Sequence, residues 1–216
     1  MKRAIAHILA SVIALGVLVS QMTSFKSVYV FLWYAPNIIA TLSVITLLLL
    51  NLRYTPLRGD ESLVVFCAAV VSTNFSVFIS SFGGFIPMYR LAPLTGLQVA
   101  GSLVYMLSAP FYLWATFSLG RGLTILPEAH TLRVSGVYKI SRHPIYLTHI
   151  IWCIAQNLIF QTWAVLILSL PQVALYLYRA RREERVMSET FPEYLDYMKR
   201  VMWLGAYSPS RLIVVE

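Results

Sequence analysis

The sequence has few charged side chains. Asp, Glu, Lys and Arg make up only 12% of the 216 residues, whereas hydrophobic residues make up 58%; a typical soluble chain has roughly 25% charged residues. This composition excludes a soluble enzyme and a disordered tail. There are also only two cysteines, Cys67 and Cys153, each inside an apolar run, which excludes a disulfide scaffold and is typical of small buried side chains. Most of the chain must therefore lie in lipid.

Long apolar runs predict how the chain crosses the membrane. A helix needs about 20 apolar residues to cross the hydrocarbon core, and four stretches meet this requirement, at 4–22, 28–52, 62–82 and 94–117. A fifth run, 144–178, has a polar centre and two arms of about 16 residues, too short to cross fully. It predicts a short helical hairpin.

The fold expected from these runs is all-α, a polytopic integral membrane helical bundle. Residues 1–117 are predicted to form an N-terminal four-span bundle. Residues 118–216 are predicted to form a cytoplasmic C-terminal catalytic region, in which a loop is followed by the hairpin and by amphipathic helices.

The basic residues predict the orientation. Of the 17 lysines and arginines, only Lys26 and Arg90 fall in connections assigned to the outer side, so the positive-inside rule places both termini in the cytoplasm. The membrane is the inner or plasma membrane if the organism is prokaryotic. The net charge of +8 follows from this topology and favours anionic lipid headgroups rather than nucleic acid. No small-residue cleavage site precedes Thr23, so residues 4–22 are expected to remain as the first span.

Two polar segments, 118–143 and 179–216, bracket the hairpin. If the hairpin returns to the face it started from, both segments emerge on the cytoplasmic side and meet over its ends. This arrangement suits an enzyme that joins a water-soluble cofactor to a lipid-borne substrate.

The first polar segment ends at Arg142-His143-Pro144. Pro144 fits the first turn of a helix, which places Arg142 and His143 beside backbone donors and the positive end of the helix dipole. Such a site attracts a carboxylate or phosphate. The alternative is that both residues only anchor the helix at the interface. Gly136 is expected to supply a turn with positive φ.

The second polar segment carries Glu183 and Glu184 among several arginines. Apolar residues follow at three- and four-residue steps, which predicts an amphipathic helix along the inner membrane face, interrupted at Phe191-Pro192. The two glutamates are either functional or simply balance the neighbouring arginines.

Taken together, the two segments resemble the isoprenylcysteine carboxyl methyltransferase family and its wider relatives, the membrane phospholipid methyltransferases. The resemblance covers about residues 118–205. Its ordered elements are His130, Leu132, Gly136, Tyr138, Arg142-His143-Pro144-Ile145-Tyr146, Glu183-Glu184 and Phe191-Pro192-Glu193-Tyr194-Leu195-Asp196-Tyr197. Three departures are Pro192 in place of a glycine, Thr148 in place of another glycine, and Met202-Trp203 where many members have Pro-Arg.

The resemblance implies transfer of a methyl group from S-adenosylmethionine to a lipid-borne acceptor, without a metal. The implied catalytic residues are Arg142, which would orient a carboxylate, and Glu184, which would act as base toward an amine. The residues implied to bind the cofactor are His130, Leu132, Gly136, Tyr138, Arg142, His143, Tyr146, Glu183 and Glu184. Those implied to bind the substrate are Tyr194, Tyr197 and Arg200.

The acceptor expected first is the carboxylate of a prenylcysteine-like lipid. The alternative acceptor is an ethanolamine phospholipid. The alternative functions are an NADPH-dependent reductase of the sterol reductase type and a non-catalytic membrane protein that kept the fold. No nucleic acid and no obligate protein partner are expected. The role of His149, one turn along the hairpin helix from Tyr146, is left open.

Overall fold

The structure is a computed structural model. It describes residues 28–51, 54–60, 62–69, 71–72, 95–124, 126–161 and 163–205, together with nine positions between 5 and 19. The chain is mostly helical, in agreement with the predicted class. The longer helices are α1 (Val28–Asn51), α2 (Gly96–Leu119), α3 (Pro144–Phe160), α4 (Trp163–Thr190) and α5 (Tyr194–Arg200).

The predicted spans are only partly covered by the described residues. α1 and α2 match the runs predicted at 28–52 and 94–117, and residues 63–69 and 71–72 are helical within the run predicted at 62–82. Among the described residues, α2 is long and apolar enough to cross a membrane, and two shorter apolar helical stretches are Thr41–Asn51 and Pro144–Phe160. Most of the span predicted at 4–22, and residues 73–94, lie outside the described residues.

α2 and α3 pack closely because α2 carries a glycine at their contact. A Cβ added at Gly101 would lie 2.8 Å from the Ala155 carbonyl oxygen and 2.8 Å from Ile159 Cγ1. Beside this contact, Tyr105 and Tyr112 of α2 pack against Trp152 of α3 in the buried core. The backbones therefore approach more closely here than any larger side chain would allow.

The predicted hairpin is present, but its second arm is longer than expected. α3 ends at Phe160, and the left-handed conformation of the next residue, Gln161 (φ 47°), turns the chain into α4. The sequence predicts a hairpin over 144–178, followed by amphipathic surface helices. That boundary is wrong, because α4 continues through Pro171 and the arginines to Thr190. Its 28 residues extend about 42 Å, and the predicted break falls at Phe191–Glu193, before α5.

A short segment after α1 lies against the region beyond α2. Strand β1 (Arg58–Gly59) pairs antiparallel with β2 (Glu128–Ala129). At the end of α1, the buried Asn51 amide donates to the carbonyl oxygens of Gly120 (3.0 Å) and Leu123 (2.7 Å). The connection 54–60 and the loop 120–130 therefore lie at the same end of the helices.

Asp60 and Arg58 join this segment to α4. The Arg182 Nε donates to Asp60 Oδ2 at 2.6 Å, and Arg58 forms an ion pair of 2.7 Å with Glu189. The end of α4 beyond the apolar part of the hairpin is thus attached to the loops that follow α1 and α2.

Candidate active site

The start of α3 is fixed by backbone and side-chain contacts with the chain that follows α5. Pro144 occupies the first turn of α3, and no side chain caps this end of the helix. The Arg142 backbone N–H donates to the Met202 carbonyl (2.9 Å), and the Ser141 hydroxyl donates to the Trp203 carbonyl (2.8 Å). Met202 and Trp203 are the positions where the sequence departs from the family pattern. Their backbone carbonyls, not their side chains, make these contacts with the start of α3.

Arg142 and His143 both meet Glu184. The Arg142 Nε lies 3.1 Å from Glu184 Oε1, and the same oxygen lies 3.2 Å from His143 Nε2. The Arg142 side chain is only 2% exposed, and its second contact is a 2.9 Å hydrogen bond to the Met198 carbonyl of α5. One buried guanidinium therefore joins the start of α3 and the last turn of α5 to α4.

Glu183 meets the next turn of α3. Its Oε1 accepts a hydrogen bond from the Tyr146 hydroxyl, and its Oε2 lies 3.8 Å from His143 Nδ1. Glu183 and Glu184 are therefore not solvated counterions of the arginines beside them. They lie with the Arg-His-Pro-x-Tyr element, as a functional interpretation requires.

Four aromatic rings stack between α3 and α4. Successive pairs are His143 and Tyr146 (ring centroids 5.7 Å apart), Tyr146 and Tyr176 (5.6 Å), and Tyr176 and His149 (4.9 Å), all with interplanar angles below 30°. The Arg179 guanidinium lies over the Tyr146 ring at 5.2 Å. We call these four rings the aromatic column; it runs from the glutamate pair to His149.

The loop between α2 and α3 contributes a second group of polar side chains. His130 Nε2 lies 3.2 Å from Glu128 Oε2, with both side chains 5% exposed. Gly136 has the predicted positive φ (62°) and begins a 3-10 helix, Gly136–Lys139. The Tyr197 hydroxyl of α5 donates to the Tyr138 carbonyl at 2.6 Å. Burial raises the pKa of both Tyr138 and Tyr197, so both hydroxyls stay protonated.

A cavity of about 1100 Å³, including its part open to solvent, lies between these elements. Nine of the predicted site residues line it: His130, Leu132, Tyr138, Arg142, His143, Tyr146, Glu183, Tyr194 and Tyr197. Glu184 contacts the cavity-lining Arg142 and His143. Gly136 and Arg200 do not line it; Arg200 is exposed, and its Nε donates to the Asp196 carbonyl within α5. Their predicted roles stay predictions.

Sequence reasoning did not assign several lining residues to the site. They include Tyr112, Glu128, His149, Tyr176 and Arg179. Arg179 was expected at the cytoplasmic surface, but it is buried, and its NH1 donates to Ser72 Oγ at 2.9 Å. The sequence did contain one indication of the column. Three of its members, His143, Tyr146 and His149, are spaced three residues apart, and residues at that spacing share one face of a helix.

Comparisons with known proteins match the part of the chain that contains most of this site. Residues 102–189 match the sequence profile of the Isoprenylcysteine carboxyl methyltransferase (ICMT) family. A 72-residue part of the chain is 31% identical to the cobalt-zinc-cadmium resistance protein CzcN of Cupriavidus metallidurans (strain ATCC 43123 / DSM 2839 / NBRC 102507 / CH34). This alignment covers 33% of the present chain, and the chain spans about a third of the length of that relative. The profile match contains the hairpin, the Arg142–Tyr146 element and the glutamate pair, and it confirms the resemblance.

Proposed function

We propose that this chain, whose residues 102–189 match the isoprenylcysteine carboxyl methyltransferase family, is an integral membrane methyltransferase that uses S-adenosylmethionine. The proposed acceptor is a lipid-borne carboxylate, of which a prenylcysteine-like lipid is the first candidate. The proposed reaction converts the carboxylate into its methyl ester and needs no external base, because a carboxylate is already ionised near neutral pH.

One observation carries the proposal. Arg142, His143 and Tyr146 at the start of α3 meet Glu183 and Glu184 of α4 beside one cavity. These residues lie far apart in the sequence and come together only because the hairpin folds back. The same residues fall inside the part of the chain that matches the family.

The residues around the cavity fit an S-adenosylmethionine molecule. The uncapped start of α3 suits the α-carboxylate, and Glu183 suits an ammonium or ribose hydroxyl. Tyr138 and Tyr194 offer rings beside which an adenine can lie. When bound, the cofactor would supply a sulfonium methyl group open to nucleophilic displacement.

In this proposal the residues of the chain act by positioning and by excluding water. Methyl displacement requires the two reacting atoms to be aligned, and alignment alone can lower a barrier substantially. Arg142 is assigned to positioning, since its buried guanidinium already holds Glu184 and the Met198 carbonyl. Tyr194 and Tyr197 of α5 are buried over the cavity and are assigned to shielding it from bulk water.

The surface of the helices supports a membrane location. α2 exposes large apolar side chains along its length, including Leu103, Leu107, Trp114 and Phe117. Soluble monomers rarely expose large contiguous apolar patches, whereas lipid accommodates them. The cavity also has apolar walls, including Val44 and Leu48 of α1 and Ile145 of α3, which suit the hydrocarbon part of a lipid. We propose that the 54–60 connection and the α3 start face the cytoplasm.

The experiment that tests this function is methyl transfer with the purified protein. The protein in detergent or proteoliposomes is incubated with methyl-labelled S-adenosylmethionine and, in separate arms, a prenylated N-acetylcysteine, an ethanolamine phospholipid and a total lipid extract. We expect base-labile label in the prenylcysteine arm. Base-stable label confined to the ethanolamine lipid would contradict the proposed acceptor and identify an amine instead. The absence of label in every arm would contradict the proposed activity.

A further inference from the structure

Ser72 contacts the cavity wall from outside the hairpin. It is completely buried and lies outside residues 102–189, which match the family. Its hydroxyl accepts a hydrogen bond from the Arg179 guanidinium at 2.9 Å and donates to the Ala69 carbonyl at 3.3 Å. Its own carbonyl accepts a hydrogen bond from the Tyr176 hydroxyl at 3.0 Å. One residue therefore binds two side chains of α4 that line the cavity.

Both of these α4 side chains contact the ring of Tyr146. The Arg179 guanidinium lies over the ring at 5.2 Å, and the Tyr176 ring stacks on it with centroids 5.6 Å apart. The Tyr146 hydroxyl in turn donates to Glu183. The contacts of Ser72 thus continue through Arg179 and Tyr176 to Tyr146, and from Tyr146 to the glutamate pair.

The position of Arg179 depends on the Ser72 hydroxyl because the guanidinium is buried. Arg179 is only 4% exposed, and a buried charge is stable only where hydrogen bonds and aromatic faces replace water. The Ser72 hydroxyl supplies such a hydrogen bond, and the Tyr146 ring supplies such a face. Without the hydroxyl, the guanidinium would gain a hydrogen bond by turning to Glu183, which lies one turn further along the same face of α4.

We propose that Ser72 is a positioning residue of the cofactor site: by binding Arg179 it holds Tyr146 against Glu183 and keeps the Glu183 carboxylate accessible to the cofactor. The inference rests on the proposed function, which identifies that cofactor as S-adenosylmethionine. It extends the site to a residue outside the part of the chain that matches the family.

The test measures S-adenosylmethionine binding to the purified full-length protein in detergent by titration calorimetry. Ser72→Ala removes the hydroxyl that binds Arg179 and keeps the carbonyl that binds Tyr176. We expect the affinity to fall at least fivefold, roughly the effect of one lost hydrogen bond. Ser72→Thr keeps the hydroxyl and is expected to bind within about twofold of the wild type.

Ser169→Ala is the matched control. Ser169 is also buried, and its hydroxyl also donates to a carbonyl of its own helix, that of Val165, at 2.7 Å. It accepts a hydrogen bond from Asn157 of the neighbouring helix at 2.9 Å, and it is not among the described residues that line the cavity. Ser169→Ala should therefore lower the unfolding midpoint while leaving the cofactor affinity unchanged.

A double-mutant cycle tests whether Ser72 acts through Arg179. Arg179→Met removes the guanidinium and keeps an apolar side chain of similar length. If the Ser72 hydroxyl acts only by holding that guanidinium, Ser72→Ala should change the cofactor affinity of the Arg179→Met protein by less than about twofold. An equal fold-loss from Ser72→Ala in both backgrounds would overturn the inference.

A second cycle needs no cofactor. Tyr146→Phe keeps the ring under Arg179 and removes the hydroxyl that donates to Glu183. If Ser72 holds that hydroxyl in place, Ser72→Ala should lower the thermal unfolding midpoint by about 2–4 °C more in the wild-type background than in the Tyr146→Phe background. A residue that only joined two helices would give the same shift in both.

Three further results would overturn the inference: wild-type cofactor affinity in Ser72→Ala, equal midpoint shifts in the second cycle, or an equal loss of affinity in a Ser72→Thr protein that keeps the wild-type midpoint. The proposed function can fail separately. Unequal midpoint shifts in a protein whose wild type binds no S-adenosylmethionine would contradict the proposed function and support the positioning of Tyr146 by Ser72.

Discussion

The Arg142 guanidinium lies 3.1 Å from the Glu184 carboxylate across the helical hairpin. Arg142 directly precedes α3, and Glu184 lies in the second half of α4. Their contact requires α4 to continue past its apolar part, because a helix that ended near residue 178 would leave Glu184 without a fixed position. The length of α4 is therefore what completes the site.

Gly101 determines how closely α2 approaches α3. We predict that Gly101→Ala destabilises the protein by about 1–3 kcal/mol, because the added Cβ would lie 2.8 Å from the Ala155 backbone oxygen, which cannot move without moving α3. The measurement is the thermal unfolding midpoint in detergent. Gly96→Ala is the control, since no atom lies within 4 Å of a Cβ added there; equal midpoints for the two variants would refute the close packing.

The Asp60–Arg182 pair predicts a pH dependence. Burial alone would raise the pKa of Asp60, but the Ser62 backbone N–H and the Arg182 guanidinium together lower it below its usual 3.8. A carboxyl whose pKa is lower in the folded state stabilises the protein at pH above 3.8, and the stabilisation disappears as the pH falls from 3.8 through the folded-state pKa. The difference in stability between the wild-type protein and Asp60→Asn should therefore disappear in that acidic range.

The matched control for Asp60 is Asp196→Asn. Asp196 pairs with Lys199, but both side chains are largely exposed, and such pairs contribute little. The measurement is the unfolding midpoint of the three proteins between pH 7 and the acid range. At neutral pH, Asp60→Asn should have a lower midpoint than the wild type, and Asp196→Asn should not. A neutral-pH effect of Asp196→Asn as large as that of Asp60→Asn would contradict this assignment.

Asn51 joins α1 to the loop after α2. We predict that Asn51→Leu lowers stability by about 1–3 kcal/mol, because the carbonyl groups of Gly120 and Leu123 lose a buried donor. Thr46→Val is the comparison, since Thr46 is exposed and its hydroxyl donates to the Leu42 carbonyl of its own helix. Thermal unfolding of both variants measures the difference; a Thr46→Val variant that is equally destabilised would argue against a specific role for Asn51.

Much of the hairpin and of the site could be predicted from the sequence. Pro144, Gly136 and Phe191-Pro192 have conformational preferences strong enough to place a helix start, a turn and a break. The order of the polar segments predicted that the Arg142 and Glu184 regions would meet, because a hairpin returns the chain to its starting side.

Other features had no usable local signal. The predicted end of α4 was wrong because the fall in hydropathy after Tyr178 marks the end of an apolar run and not the end of a helix. Arginine and glutamate have helix propensities similar to that of leucine, so the helix continues through them. The β1–β2 pair is two residues long and depends on a partner far away in the sequence. The burial of Arg179 depends on Ser72, which only the folded chain brings near.

The most direct test of the account is calorimetric binding of S-adenosylmethionine to the purified protein and to Arg142→Ala and Glu184→Ala. Because the Arg142–Glu184 contact positions the cavity wall, we expect saturable binding by the wild type and a loss of at least about tenfold in each variant, with Cys153→Ala unchanged and circular dichroism showing intact helices. Wild-type affinity in both folded variants would contradict the claim that these two residues build the cofactor site.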